Sequence, residues 1–140
     1  TIKGICSLYS KTSAAVGTDI KRPSLMGIHL EIYSDTVRAS ACDAFRMAVT
    51  EIKCNCGGKM SVTVPKQSFF YLANAVEDKD LLEFGLNANT LVFIKSDMLF
   101  STRIISEPFM NIDRLLNMPD KMLIAKIKAN DMKTMAKLFR

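Results

Sequence analysis

The side chains best suited to covalent, metal or proton-transfer chemistry in this sequence are four cysteines, a single histidine and a small group of carboxylates. Cys54 and Cys56 are one residue apart, and a structural zinc site needs a second such pair or a Cys/His complement. His29, the single histidine, sits inside an alternating stretch and supplies none. Cys6 and Cys42 stand among apolar neighbours, and no apolar run follows a basic start, so reduced thiols in a cytoplasmic protein are expected. Asp78, Asp80 and Glu83 are close in sequence but have no histidine nearby, which argues against a metal-dependent nuclease. Gly57-Gly58 lacks the Lys-Ser/Thr of a phosphate loop. No serine or cysteine has an evident base, and no acid–base pair is arranged for hydrolysis. The residues therefore point away from catalysis, metals and cofactors, and toward a binding or assembly module.

That module has to present a turn. The stretch Ala41-Cys42-Asp43-Ala44-Phe45-Arg46-Met47 places an Asp and an Arg in a tight connection between two β-type segments. Of 140 residues, 49% are apolar, enough to fill one core. The net charge of +5 and pI near 9.1 permit a polyanionic partner, although Lys21-Arg22 is the only adjacent basic pair. No apolar run reaches membrane-spanning length.

Periodicity gives the elements around the turn. Ile2, Ile5, Cys6 and Tyr9 recur at helical spacing and predict a helix over about 2–15, ended near Gly17. Pro23 is expected to enforce an extended lead into a strand from Leu25 to Ile32, followed by strands over 36–42 and 46–52 and a loop over 53–59. A strand over 60–64 then precedes a helix that begins at Pro65, with Phe69, Leu72, Ala73 and Val76 on one face. Three more strands are expected over 81–86, 90–94 and 98–105, joined by short polar connections. Residues 2–52 and 60–105 thus each read as a helix followed by a three-strand meander, the second with an extra strand in front. The strand lacking from the first would belong just before Thr1. Ile112, Leu115 and Leu116 allow a short helical turn. A strand over 122–126 and a helix over 129–139 look like the opening of a further copy. The expected class is α+β: two repeated units, sheets outside, two helices on one face.

The segments Lys21-Arg22-Pro23-Ser24-Leu25-Met26-Gly27, Asp43-Ala44-Phe45-Arg46-Met47-Ala48, Val62-Thr63-Val64-Pro65-Lys66 and Phe100-Ser101-Thr102-Arg103-Ile104-Ile105-Ser106-Glu107-Pro108-Phe109 resemble, in order and spacing, the bacterial sliding clamp, the beta subunit of DNA polymerase III. The resemblance implies the clamp's middle domain over residues 1–118 and the opening of its third over 119–140. It also implies a ring-shaped homodimer that encircles duplex DNA and tethers the replicative polymerase. An ATP-driven loader places such rings, and the clamp is a non-catalytic subunit of a nucleotidyltransferase holoenzyme. Three departures from the family pattern stand out. The usual turn Asp-Gly-His-Arg-Leu-Ala carries Ala44, Phe45 and Met47, Cys42 replaces a Thr, and Met110 replaces the Pro after Phe109.

The resemblance further implies a groove for short apolar partner peptides, walled by Leu25, Gly27, Cys42, Ala44, Phe45, Arg46, Met47 and a residue near Asn117. The soft walls of Leu25, Cys42 and Met47 suit such a ligand, and Arg46 offers a donor. The alternative is that Leu25 and Met47 are ordinary core residues. Lys21 and Arg22, with Lys3, Lys11 and Lys66, are the expected contacts to duplex phosphates, non-specific so that a clamp can slide. They read equally as solubilising charges. A diverged structural or protein-interaction domain that no longer forms a DNA-encircling ring is the alternative function, and an enzyme of unknown chemistry a weaker third.

Overall fold

Alternation of apolar and polar residues produces, among the described residues, seven strands: β1 (Gly27–Ile32), β2 (Thr36–Cys42), β3 (Met47–Lys53), β4 (Met60–Pro65), β5 (Glu83–Asn87), β6 (Thr90–Lys95) and β7 (Met98–Arg103). Four helices accompany them, α1 (Ile5–Thr12), α2 (Lys66–Ala75), α3 (Ile112–Leu116) and α4 (Ala129–Leu138). The structure is a computed structural model and describes residues 1–117 and 126–138. Two units are distinct, Thr1–Met110 and Asn111–Arg140. In the second, α4 has no buried residue and Asn111 caps α3 by accepting from the Arg114 amide. The strand expected over 122–126 falls almost wholly outside the described residues.

The first unit holds two antiparallel sheets, β3-β2-β1-β4 and β5-β6-β7. The sequence leaves the partner of β4 open. β4 precedes the second helix in sequence, yet it pairs along its length with β1, from Gly27↔Pro65 to Ile32↔Met60. At the other end of the pseudo-repeat Ile2, ahead of α1, bridges antiparallel to Leu82 ahead of β5. Each half thus lends the segment before its helix to the meander of the other. This exchange also corrects the first helix, which begins at Ile5 because Ile2 is held as a bridge and Gly4 turns the chain at φ 83°. Ser13–Ala15 continues it as a 3₁₀ turn. The expected extended lead after Pro23 is also a 3₁₀ turn, Pro23–Met26, because proline's fixed φ suits the first position of a helical turn.

One core joins the two halves. Ile5 and Leu8 of α1 and Phe69 and Leu72 of α2 pack with Ile28, Leu30, Val37, Ala39, Val62, Val64, Leu91 and Phe93 from the sheets. The helices are neighbours: Tyr9 meets Phe69 edge-on at 6.0 Å, and the Cys6 thiol donates to the carbonyls of Ala73 and Val76 at 3.2 and 3.1 Å. On the opposite sheet face, aligned Glu31, Arg38 and Glu51 form a cross-strand ladder, with Arg38 to Glu51 at 2.8 Å and to Glu31 at 3.4 Å.

His29 lies on that opposite face, as its alternation with Ile28 and Leu30 suggests, but it is covered there. Phe109 stacks over its ring at 4.6 Å and 7°, Nδ1 bonds the Thr63 hydroxyl at 2.9 Å, and Nε2 bonds that of Ser61 at 3.2 Å. Desolvation pushes its pKa down to about 4. Protons bind the unfolded chain first, near pH 6.5, so stability is lost as pH falls from 6.5 toward 4 and the loss levels off below. Urea unfolding of the natural sequence should show about 2 kcal/mol less stability at pH 5 than at pH 7 from this group. His29→Gln should remove that component. An unchanged pH slope in the variant would show that His29 is not its source.

Candidate functional site

The β2–β3 turn is fixed by one carboxylate. Asp43 Oδ1 accepts from the amides of Phe45 and Arg46 at 3.0 and 2.7 Å, and Oδ2 accepts from Arg46 Nε and Nη2 at 2.8 and 2.7 Å. The Asp43 amide closes the turn onto the Arg46 carbonyl at 3.1 Å. These bonds to the Arg46 and Phe45 amides and to the Arg46 guanidinium hold the Asp43 carboxyl below its ordinary range. With Arg46 anchored, the chain between is forced outward. Phe45 stands 97% exposed at the tip, and Ala44 takes a left-handed conformation at φ 75°.

A second segment folds against this turn. After α1 the chain runs Val16-Gly17-Thr18-Asp19, and Gly17 donates its amide to the Leu25 carbonyl at 2.8 Å. Only glycine approaches so closely with ease, since a Cβ there would lie 3.2 Å from both Leu25 Cβ and its carbonyl oxygen. Asp19 turns the following loop by accepting from the Lys21 amide at 3.0 Å, and its carboxylate lies 3.9 Å from Arg22 Nε. Between the two segments is an open cleft of about 430 Å³. Val16, Leu25, Ala44 and Phe45 give it apolar walls, while Asp19 with Arg22 and Asp43 with Arg46 set one ion pair on each side. Such a site suits an apolar side chain flanked by groups that can exchange hydrogen bonds with the paired charges.

Of the residues singled out for a groove, Leu25, Ala44, Phe45 and Arg46 line this cleft. Cys42 is buried beneath it, its sulfur accepting the Ala44 amide at 3.3 Å, and Met47 opens β3 as the register partner of Cys42. Gly27 lies within the sheet, where a Cβ would come 2.5 Å from the Val64 carbonyl oxygen. Asn117 is exposed at the C-terminal end of α3, in the second unit. Sequence reasoning missed Val16, Gly17, Thr18 and Asp19 as cleft residues. It assigned Arg22 only to a DNA-facing loop, whereas Arg22 also lines the cleft.

The basic residues are spread along the helices and the 19–22 loop. Lys11 is exposed in the last turn of α1, Lys66 opens α2, and Lys3, Lys21 and Arg22 are exposed outside regular structure. Lys3, Lys11, Lys21 and Lys66 form no ion pair among the described residues. The described residues also contain no group of three or more His, Cys, Asp or Glu side chains placed to hold a metal, and no helix long and apolar enough to cross a membrane.

Residues 3–111 match the family described as the DNA polymerase III beta subunit, central domain. The chain belongs to this family. Its fold is that of bacterial sliding clamps: it superposes on the DNA polymerase sliding clamp of Bacillus subtilis with a TM-score of 0.77 at 21% identity, over 86% of this chain and 32% of that one. The beta subunit of Streptococcus pyogenes gives 0.75 at 24% identity, over 82% and 32%. That of Thermotoga maritima gives 0.74 at 18%, over 83% and 32%. The chain therefore spans about a third of the length of these clamps.

Ala44 marks where this central clamp domain carries local strain. An L-residue in the left-handed region is disfavoured relative to glycine by about 1 kcal/mol or more, beyond the entropy that alanine saves in the unfolded chain. Ala44→Gly should therefore raise unfolding stability by about 1 kcal/mol in denaturant titrations, leaving the denaturant dependence unchanged. Equal or lower stability would show that the turn does not strain Ala44.

Proposed function

We propose that this chain is the middle domain, with the opening of the third, of a processivity clamp that encircles duplex DNA and tethers a replicative polymerase. The observation that carries this reading is the pairing of α1 with α2 as neighbours on one core, in a chain belonging to the clamp family. Each helix carries one lysine, without a carboxylate partner among the described residues, and no acidic residue. A surface of sparse positive charge neutralises phosphates without reading bases, which suits a protein that must slide. Lys3, Lys11, Lys66, Lys21 and Arg22 are the proposed phosphate contacts. In this reading the domain boundary falls near 118, the assembly is a homodimeric ring, and its work is mechanical, with no catalytic residue of its own, in the bacterial cytoplasm.

The cleft between Val16–Arg22 and Asp43–Arg46 is the proposed docking point for short apolar segments of the polymerase and the clamp loader. Phe45, fully outside the core, offers its ring to the incoming side chain, and Cys42 and Met47 support the turn that presents it. Leu25 forms part of its wall, and Gly27, which opens β1, is proposed to hold that segment in place.

The gene product in its full length, loaded on nicked circular DNA, should remain bound and leave when the circle is cut. Phe45→Ala should be retained on circles as well as the natural protein but capture polymerase at least tenfold less. Equal loss from circular and linear DNA would overturn the ring. Undiminished polymerase capture by the variant would overturn the cleft assignment alone.

A further inference from the structure

The helical face carries more than positive charge. On α2, Phe70 and Tyr71 are 40% and 57% exposed, and their rings lie 5.7 Å apart. Tyr9 of α1 approaches Phe70 at 5.8 Å, so three aromatic rings form a continuous patch across the helix pair. Lys66 and Asn74 lie one turn before and after Phe70, and Gln67 one turn before Tyr71. Neither helix contains an aspartate or glutamate. The core does not explain Phe70 and Tyr71, because Phe69 and Leu72 already fill the buried side of the helix. Solubility does not favour two adjacent exposed rings either.

Flat π faces, beside ammonium groups that form no ion pair among the described residues, are complementary to a polyanion whose bases are exposed; the one carboxylate at the helix pair, Asp78, is taken up by the Ser7 amide and hydroxyl. Duplex DNA hides its base faces inside the stack, and a single strand presents them. We propose that Phe70 and Tyr71, with Tyr9 behind them, stack on unpaired bases of single-stranded DNA while Lys66 and Lys11 neutralise its phosphates. This deepens the clamp reading, on which it rests for placing the helical face against DNA. It adds a single-strand-binding function to a surface otherwise suited only to non-specific duplex contact. Because every base has a π face, the contact is tolerant of sequence and compatible with sliding.

The test measures binding of the full-length protein to three probes: a short oligothymidine, an abasic oligomer of the same length, and a duplex. Oligothymidine should bind more tightly than the abasic oligomer by about tenfold or more per stacked base. Joint Phe70→Ala and Tyr71→Ala substitution should bring oligothymidine down to the abasic level and leave duplex affinity unchanged, while Tyr71→Phe, which keeps the ring, should restore most of the preference. Lys66→Gln should weaken all three probes and flatten their salt dependence. Equal affinity for oligothymidine and the abasic oligomer, or an oligothymidine affinity indifferent to loss of both rings, would overturn the proposal. So would a parallel loss of duplex binding in the double variant. Failure of the ring reading is separate: it appears as release from uncut circles, which none of these probes measures.

Discussion

The antiparallel pairing of β4 with β1 is the contact on which the molecule depends. It takes the strand that leads into α2 and fixes it in the sheet that lies under α1. Six consecutive register pairs, from Gly27↔Pro65 to Ile32↔Met60, leave α2 no choice but to start beside α1. The bridge between Ile2 and Leu82 repeats the exchange in the other direction. Neither meander is complete without the segment from the opposite half, so two sequence repeats become one core. The same pairing makes Gly27 necessary for packing, because a side chain there would run into the Val64 carbonyl, Thr63 and Ile105. The helical face and the cleft are therefore positioned by one framework in the first unit.

Within that framework the cleft is built from short-range chemistry. Asp43 organises its turn through four acceptor contacts, and Asp19 organises the opposing loop through its amide bond and its nearness to Arg22. Both arginines keep their charge close to a carboxylate, so the cleft is polar at its rim without a large net field. Phe45 is left exposed because the residues on either side of it are committed to the turn. In the proposed docking role, a ligand would gain apolar contact from the ring and orientation from the pairs.

Much of this was legible in the sequence. The spacing of Phe69 and Leu72 marks the buried side of α2, and the alternation through Thr36–Cys42 gives β2 to the residue. The Asp and Arg of the 43–46 turn announce themselves by type and spacing. Pairing partners were not legible, because β1 and β5 offer similar alternating faces and nothing local says which of them β4 joins. His29 shows the same limit. Its alternation puts it correctly on the outer sheet face, but the residue that buries it, Phe109, arrives from far along the chain. Val16 to Asp19 read as the fading end of a helix, and only their distant contact with the 43–46 turn makes them part of a site. Ala44 is a departure visible in sequence whose meaning requires a backbone angle, and the adjacent pair Phe70 and Tyr71 acquires its meaning only from its exposure.

The interlock of the two halves is tested most directly by native-state hydrogen exchange at amides of the central strands. Leu30 in β1, Ala39 in β2 and Phe93 in β6 are buried and paired on both sides. If the exchanged strands make one cooperative core, these amides share one opening free energy and one denaturant dependence, equal to those of global unfolding. Exchange of Phe93 through a smaller opening, while Leu30 and Ala39 stay protected, would show that the second meander opens independently and would contradict the account.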